Sequence, residues 1–370
     1  MLNLTLVVAG LKELVVERLG GTVTDAALFF TVEMTAYLVF GPVWGLLSDR
    51  AGRRRPFVVA GFAASGLLYL GFLAVESIPL LLALRFLQGG AAIAGWSTAM
   101  AIVFDGGSEL ERPRRAGAAG AAMILGVGTG APIGGLLTHA LGPRAPLAAA
   151  GLLFLVLAVL ALGLDEPAKH RPRIGLGAIG RALAARPRLL LPAGLYFVER
   201  FTVGLFVVVF PVFLAETGGA DPAARGRYLA LFLFPFALGQ LGTYRLTRRF
   251  GALPPLALGA AAYGLAFGVL DRVPLAGLGG WMALLGLLAA VIFPPTLALT
   301  AEWSTEETRA SAIAGFNVAG SLGFALGPVA GARTSELFGF GAAFELGGGV
   351  AVAGALAAAI AWGLRRRILG

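Results

Sequence analysis

Four charged residues stand inside long apolar stretches: Glu33, Arg85 and the adjacent pair Glu199 and Arg200. A carboxyl group in such surroundings costs free energy while it is charged, which makes it a candidate for binding and releasing a proton. An arginine there stays charged and needs an acidic partner, a polar cavity, or a route to the interface along its own stem. Glu33 is flanked by Phe29, Phe30 and Met34, with Thr35 as a hydroxyl nearby. Two readings stand open for it, a proton carrier or a structural carboxylate held by an arginine or by hydroxyls. Arg85 is one such partner, at a similar depth in the same half of the chain. Glu199 and Arg200 are adjacent, so on a helix they point about 100° apart. The expectation is that one faces a cavity while the other pairs with a neighbouring helix, either as a structural ion pair or with Arg200 free to bind an anion. Lys12, Glu13 and Glu17 belong near the outer end of the first stretch, where solvation is expected.

The elements that carry these residues follow from composition. The chain has 370 residues, 58% of them hydrophobic and 13% charged, with a mean hydropathy of +0.85. Soluble domains are nearer one-quarter charged. The apolar residues form repeated blocks of about 20, the length of a membrane-crossing helix, without the alternation of a transmembrane barrel strand. The blocks predict an all-α integral membrane protein with twelve spans, near 1–18, 25–47, 56–75, 79–105, 116–140, 145–164, 188–216, 227–247, 253–271, 278–302, 310–336 and 342–364. A polar connection at 165–187 separates a six-helix bundle at 1–164 from a second at 188–370. Net charge is +9, and 20 of the 29 Lys and Arg residues fall in alternate loops on one side. That bias points to the lipid surface rather than to nucleic acid, and places both termini and the central connection in the cytoplasm. There is no cysteine, and His139 and His170 form no cluster, so neither a metal site nor a bound cofactor is expected.

The two halves repeat each other. Gly126, Gly130 and Gly134 recur 197 residues later as Gly323, Gly327 and Gly331, and Asp105 recurs at the same offset as Glu302. Small residues four apart make a face on which another helix packs backbone to backbone, and Pro132 and Pro328 beside those faces bend the helices. Between spans 2 and 3 stands Gly45-Leu46-Leu47-Ser48-Asp49-Arg50-Ala51-Gly52-Arg53-Arg54, a short charged loop. This spacing resembles the signature loop of the major facilitator superfamily. The resemblance covers essentially the whole chain. Arg85-Phe86-Leu87-Gln88-Gly89 is similar to the superfamily pattern of span 4. The segment from Gly126 to Gly135 resembles the span-5 motif of proton-driven exporters, with proline one residue late, and plain tight packing accounts for its glycines as well.

The resemblance implies two pseudo-symmetric six-helix bundles working by alternating access. It also implies that Arg85 takes part in proton movement. From their place inside apolar spans, Glu33 is expected to be the proton-carrying acid, with Glu199 and Arg200 the next proton-coupling candidates. In such relatives Asp49 caps the inner end of span 11 near Ala310, and Arg53 or Arg54 meets Asp105, a latch that holds the cytoplasmic side closed. Gln88, Tyr196, Gln240 and Asn317 are the polar side chains expected in a substrate cavity. With 25 phenylalanines in the chain, such a lining suits lipophilic or amphipathic molecules better than sugars. The function expected is proton-coupled export of small molecules from a monomeric protein of the bacterial inner membrane, driven by the proton gradient. Proton-linked uptake and a non-transporting receptor on the same fold are the alternatives. Gly20 and Gly21 match Gly218 and Gly219 at an offset of 198, which makes span 1 about ten residues shorter than span 7. Residues 1–18 are therefore expected to start near mid-membrane.

Overall fold

The computed structural model describes residues 2–105, 112–165 and 176–369, a few side chains among them excepted. All regular structure among the described residues is helical. The first six α-helices are α1 Leu2–Leu6, α2 Val23–Ala51, α3 Arg55–Gly71, α4 Ile78–Asp105, α5 Arg112–Leu141 and α6 Ala145–Ala161. The rest are α7 Leu176–Ala185, α8 Leu190–Gly218, α9 Pro222–Phe250, α10 Leu253–Gly268, α11 Leu275–Ala289, α12 Phe293–Trp303, α13 Glu306–Phe338 and α14 Phe340–Leu369. Nine helical segments among the described residues are long and apolar enough to cross a membrane, and α6 and α10 are apolar but shorter. The chain divides into two compact units. One comprises Met1–Arg173 with Asp221–Gly226, the other Ile174–Ala220 with Arg227–Gly370.

In the first unit α2 packs on α4, α3 on α4 and α6, and α1 on α5. Its core holds Leu6, Leu14, Phe29, Tyr69 and Phe72. In hydrocarbon the drive for helices to associate comes from close packing rather than from apolar burial, so the small residues decide the seams. A Cβ placed on Gly130 or Gly134 of α5 would collide with the backbone of α1, at Leu2 and Leu6. Gly89 of α4 lies so close to α2 that its Cβ would sit 3.1 Å from the Glu33 Cα. In the second unit α8 packs on α13 and α14, and α10 on α14. There Gly323 and Gly327 face the α8 backbone at Phe197 and Phe201, and Gly331 faces the Leu205 side chain. The repeated glycines thus make the same kind of seam in each unit.

Three stretches differ from the spacing-based expectation. The first span is not one α-helix: after α1 it passes through a 3-10 turn at Val8–Gly10 and a π-helix at Lys12–Arg18. Gly10 is a poor helix residue, with the Thr138 side chain against it. Lys12 Nζ meets Glu17 Oε1 at 2.9 Å across five residues, the spacing of a π turn. The tenth span breaks between Ala289 and Phe293 because Pro294 and Pro295 lack the N–H that would continue α11. The connection at 165–187 contains α7, which lies on α13 with Ile179 and Leu183 against Gly315.

The charged segment is less of a loop than its spacing suggests: residues 45–51 form the last turns of α2, and the reversal is confined to residues 52–54. Gly52 ends α2 at φ +61°, a left-handed conformation that favours glycine. Ser48 Oγ donates to the Gly45 carbonyl at 3.0 Å. Arg54 is buried and its Nη2 lies 3.3 Å from Asp49 Oδ1, whereas Arg53 is exposed. The side chains of Asp105 and Ala310, the expected partners of this loop, lie outside the described residues.

Candidate functional site

Helices α2, α3 and α4 bring one polar cluster into the apolar interior of the first unit. Arg85 is its centre, 1% exposed. Its Nη2 donates to Glu33 Oε2 at 2.5 Å, and its Nη1 donates to Tyr69 Oη and to Gln88 Oε1, both at 2.7 Å. Its Nε donates to the Phe29 carbonyl at 3.2 Å. The guanidinium also stands 4.2 Å from the centre of the Phe29 ring. Tyr37, one helical turn after Glu33, donates its hydroxyl to Glu33 Oε1 at 3.1 Å. Glu33 is buried and Gln88 fully so. Each carboxylate oxygen of Glu33 therefore accepts from a different donor, and four of the five guanidinium N–H groups are used.

The local sequence explains this arrangement. Arg85 and Gln88 lie one turn apart on α4, so both side chains reach one spot. Gly89, on the next position, lets α2 approach closely enough for a direct ion pair. Gly90 offers its carbonyl to Trp44 Nε1 at 2.7 Å, fixing the same pair of helices further along. Chemically the cluster is a buried acid with a fixed cation beside it. A proton added to Glu33 cancels the charge that Arg85 faces and leaves the arginine held by neutral groups alone.

The second unit places Glu199 and Arg200 together. Glu199 is fully buried, and Arg200 Nε lies 3.0 Å from its Oε2. The adjacent residues do not divide between a cavity and a neighbouring helix; the long arginine stem bends back and closes the angle between them. Arg200 stands over the rings of Tyr196, Phe293 and Phe324 at 5.0, 5.7 and 5.9 Å from their centres.

The other sequence candidates are dispersed. Tyr196 belongs to the Arg200 group and Gln88 to the Arg85 group, whereas Gln240 is half-buried and Asn317 exposed. Glu13 is not solvated as expected: it pairs with Arg225, whose side chain is 1% exposed, and both belong to the first unit. Sequence reasoning also missed Tyr37 and Tyr69. Tyr37 carried a signal, four residues after Glu33 and hence on its helix face. Tyr69 carried none, because its partner is 16 positions away on another helix.

A sequence profile described as Major Facilitator Superfamily matches residues 1–198 and 192–368. The chain is 26% identical over 324 residues to the chromaffin granule amine transporter of Rattus norvegicus, covering 85% of this chain and 61% of the relative. It is 27% identical over 327 residues to a probable vesicular acetylcholine transporter-B of Danio rerio, covering 85% of this chain and 65% of that protein. The chain thus spans less than two thirds of the length of these relatives. Its fold is similar to the crystal structure of nucleoside transporter NupG, with a TM-score of 0.79, 13% identity and 97% of each chain covered.

Proposed function

The chain belongs to the Major Facilitator Superfamily, and on that premise we propose that it is a secondary transporter, a proton-coupled exporter of small lipophilic or amphipathic molecules. The observation that carries the proton coupling is the buried Glu33–Arg85 pair with its polar shell of Tyr37, Tyr69 and Gln88. A transporter driven by protons needs a group that is protonated facing one compartment and deprotonated facing the other. Glu33 supplies that group, and Arg85 is the positioning residue that registers its charge. Breaking and remaking this pair changes the packing of α2 on α4, which offers two discrete arrangements for alternating access. The segment of Gly45, Asp49, Gly52, Arg53 and Arg54, with Asp105, acts as the cytoplasmic latch. The names of the relatives make amines the first substrates to test. The arginine-rich loops support a bacterial inner-membrane protein with cytoplasmic termini, and a monomer suffices for the reading.

The test is flux in proteoliposomes with an imposed pH gradient. Glu33→Gln mimics the protonated acid, so substrate binding persists while gradient-driven flux disappears. Undiminished pH-driven flux in this variant would remove Glu33 from the mechanism, with Glu199 the next acid to examine. The direction of flux relative to the gradient separates export from uptake, and any saturable flux excludes a non-transporting receptor.

A further inference from the structure

The second unit contains a built aromatic enclosure whose occupant is one of its own side chains. Tyr196 lies parallel to Phe316, with ring centres 4.1 Å apart and planes 4° apart, and Phe293 stands 5.2 Å from Tyr196. Gly320 makes the space for this wall, since a Cβ there would collide with the Tyr196 ring. Over the rings of Tyr196, Phe293 and Phe324 sits the Arg200 guanidinium. Beneath it lies Glu199, whose two carboxylate oxygens are buried and accept no hydrogen bond from the described residues. The charged group within reach of that acid is Arg200.

A buried carboxylate under a wall of aromatic rings is the set of groups that holds an organic ammonium, because ring faces and a dry anion both favour a weakly hydrated cation. Strongly hydrated sodium or potassium gains less from such a site. The two halves of the ion pair also differ in their freedom. The Arg200 side chain is 24% exposed and sits on a flexible stem, whereas that of Glu199 is 0% exposed. The cation can therefore leave, and the acid stays. The same asymmetry argues against an anionic ligand, which would have to displace the buried Glu199 from Arg200.

We propose that Arg200 is the resident stand-in for a cationic substrate: an organic ammonium binds on Glu199 and the Tyr196, Phe293 and Phe324 rings by displacing the guanidinium. This assignment rests on the reading of the chain as a transporter and names the substrate class for it. Net charge at the site is unchanged on binding, since one monocation replaces another beside Glu199 and the guanidinium moves away still charged on its stem. A self-occupied site binds each ligand more weakly than an empty one, its affinity scaled by the fraction of time the guanidinium leaves it open.

Equilibrium binding of tetraethylammonium to the purified full chain, with benzoate as the anionic probe, tests the proposal. Arg200→Gln empties the enclosure, and tetraethylammonium affinity is expected to rise about tenfold as one cation–π competitor is lost. Adding Tyr196→Leu to that variant is expected to cancel the gain. Arg200→Lys keeps a positive charge beside Glu199 and so protects folding, but its compact, hydrated ammonium competes less well for the rings. A smaller gain, about threefold, is expected for it from the weaker cation–π contact. An unchanged or reduced tetraethylammonium affinity in both Arg200 variants overturns the proposal. So does benzoate binding that wild type shows and Arg200→Gln loses, which would make Arg200 an anion receptor. These measurements use no gradient, so their failure leaves the flux test of Glu33 intact, and failure of that flux test leaves the binding result readable.

Discussion

Arg85→Met removes a buried cation while keeping an unbranched apolar stem of similar reach, and the structure says what is left behind. Glu33 loses its donor at 2.5 Å and keeps the Tyr37 hydroxyl at 3.1 Å. Gln88 Oε1, Tyr69 Oη and the Phe29 carbonyl lose theirs. Breaking one side of a buried pair costs about 3–5 kcal/mol, most of it the penalty of an acid left without its counter-charge. The neutral acceptors add to this only in part, since Tyr69 and Gln88 can turn toward each other or toward water. The expected loss is therefore about 3–5 kcal/mol in equilibrium unfolding from mixed micelles. Glu33→Gln in the same chain removes the stranded charge, so the double variant should recover at least about 2 kcal/mol of that loss as a coupling energy. Tyr69→Phe, which leaves the pair intact, should cost about 1 kcal/mol. A double variant as unstable as Arg85→Met alone would refute the reasoning, because Arg85 would then be stabilising α4 through packing rather than by balancing Glu33.

Two further outcomes follow from the seams and the loop. Gly327→Ala drives a methyl group into the α8 backbone at Phe201 and should cost about 1–3 kcal/mol, while Gly349→Ala on α14 meets open space and should leave the melting temperature unchanged or slightly higher; equal effects of the two would show that the glycine seam is not close-packed. Asp49→Asn weakens a partly exposed pair with Arg54 and should cost no more than about 1 kcal/mol, yet reduce substrate flux several-fold if the loop is a latch; full flux with lowered stability would make it a structural element only.

What could be read from the sequence depends on cost. Charges in hydrocarbon are expensive and therefore rare, so Glu33, Arg85, Glu199 and Arg200 stood out without any structure. Glycines four apart stood out for a related reason, since each gives up helix propensity and repays it only where backbones meet. The structure pairs Glu33 with Arg85, as their similar depth suggested. It also gives the two glycine seams their partners, α1 and α8. Tyr69 was not legible, because tyrosine is common near membrane surfaces and nothing local marks one as buried against an arginine. Glu13 looked solvated because its partner, Arg225, lies 212 positions away. The break between α11 and α12 was legible in principle from Pro294-Pro295, but an apolar run masked it. The π-helix of Lys12–Arg18 was not, since its polar residues also fit an ordinary surface helix end.

The repeat itself separates scaffold from chemistry. Moved by the same 197 residues that superpose the glycines, Glu33 and Arg85 fall on Ala230 and Met282, and Glu199 and Arg200 fall on Leu2 and Asn3. Neither charged pair has a counterpart in the other half. A glycine seam has to be kept in both units, because each unit must pack its own helices and a single methyl group is enough to push neighbouring backbones apart. A buried ion pair carries the opposite pressure: each copy costs desolvation, and apolar side chains of similar volume pack as well or better. A pair held for stability alone would therefore tend to be lost from both units. These two pairs, on different helices and with different surroundings, are what two distinct tasks would leave behind. Glu33 has a donor on each carboxylate oxygen, a setting for a group that trades a proton for an ion pair. Glu199 is paired with Arg200, accepts no hydrogen bond from the described residues and lies beneath aromatic rings, a setting for a group that trades one organic cation for another.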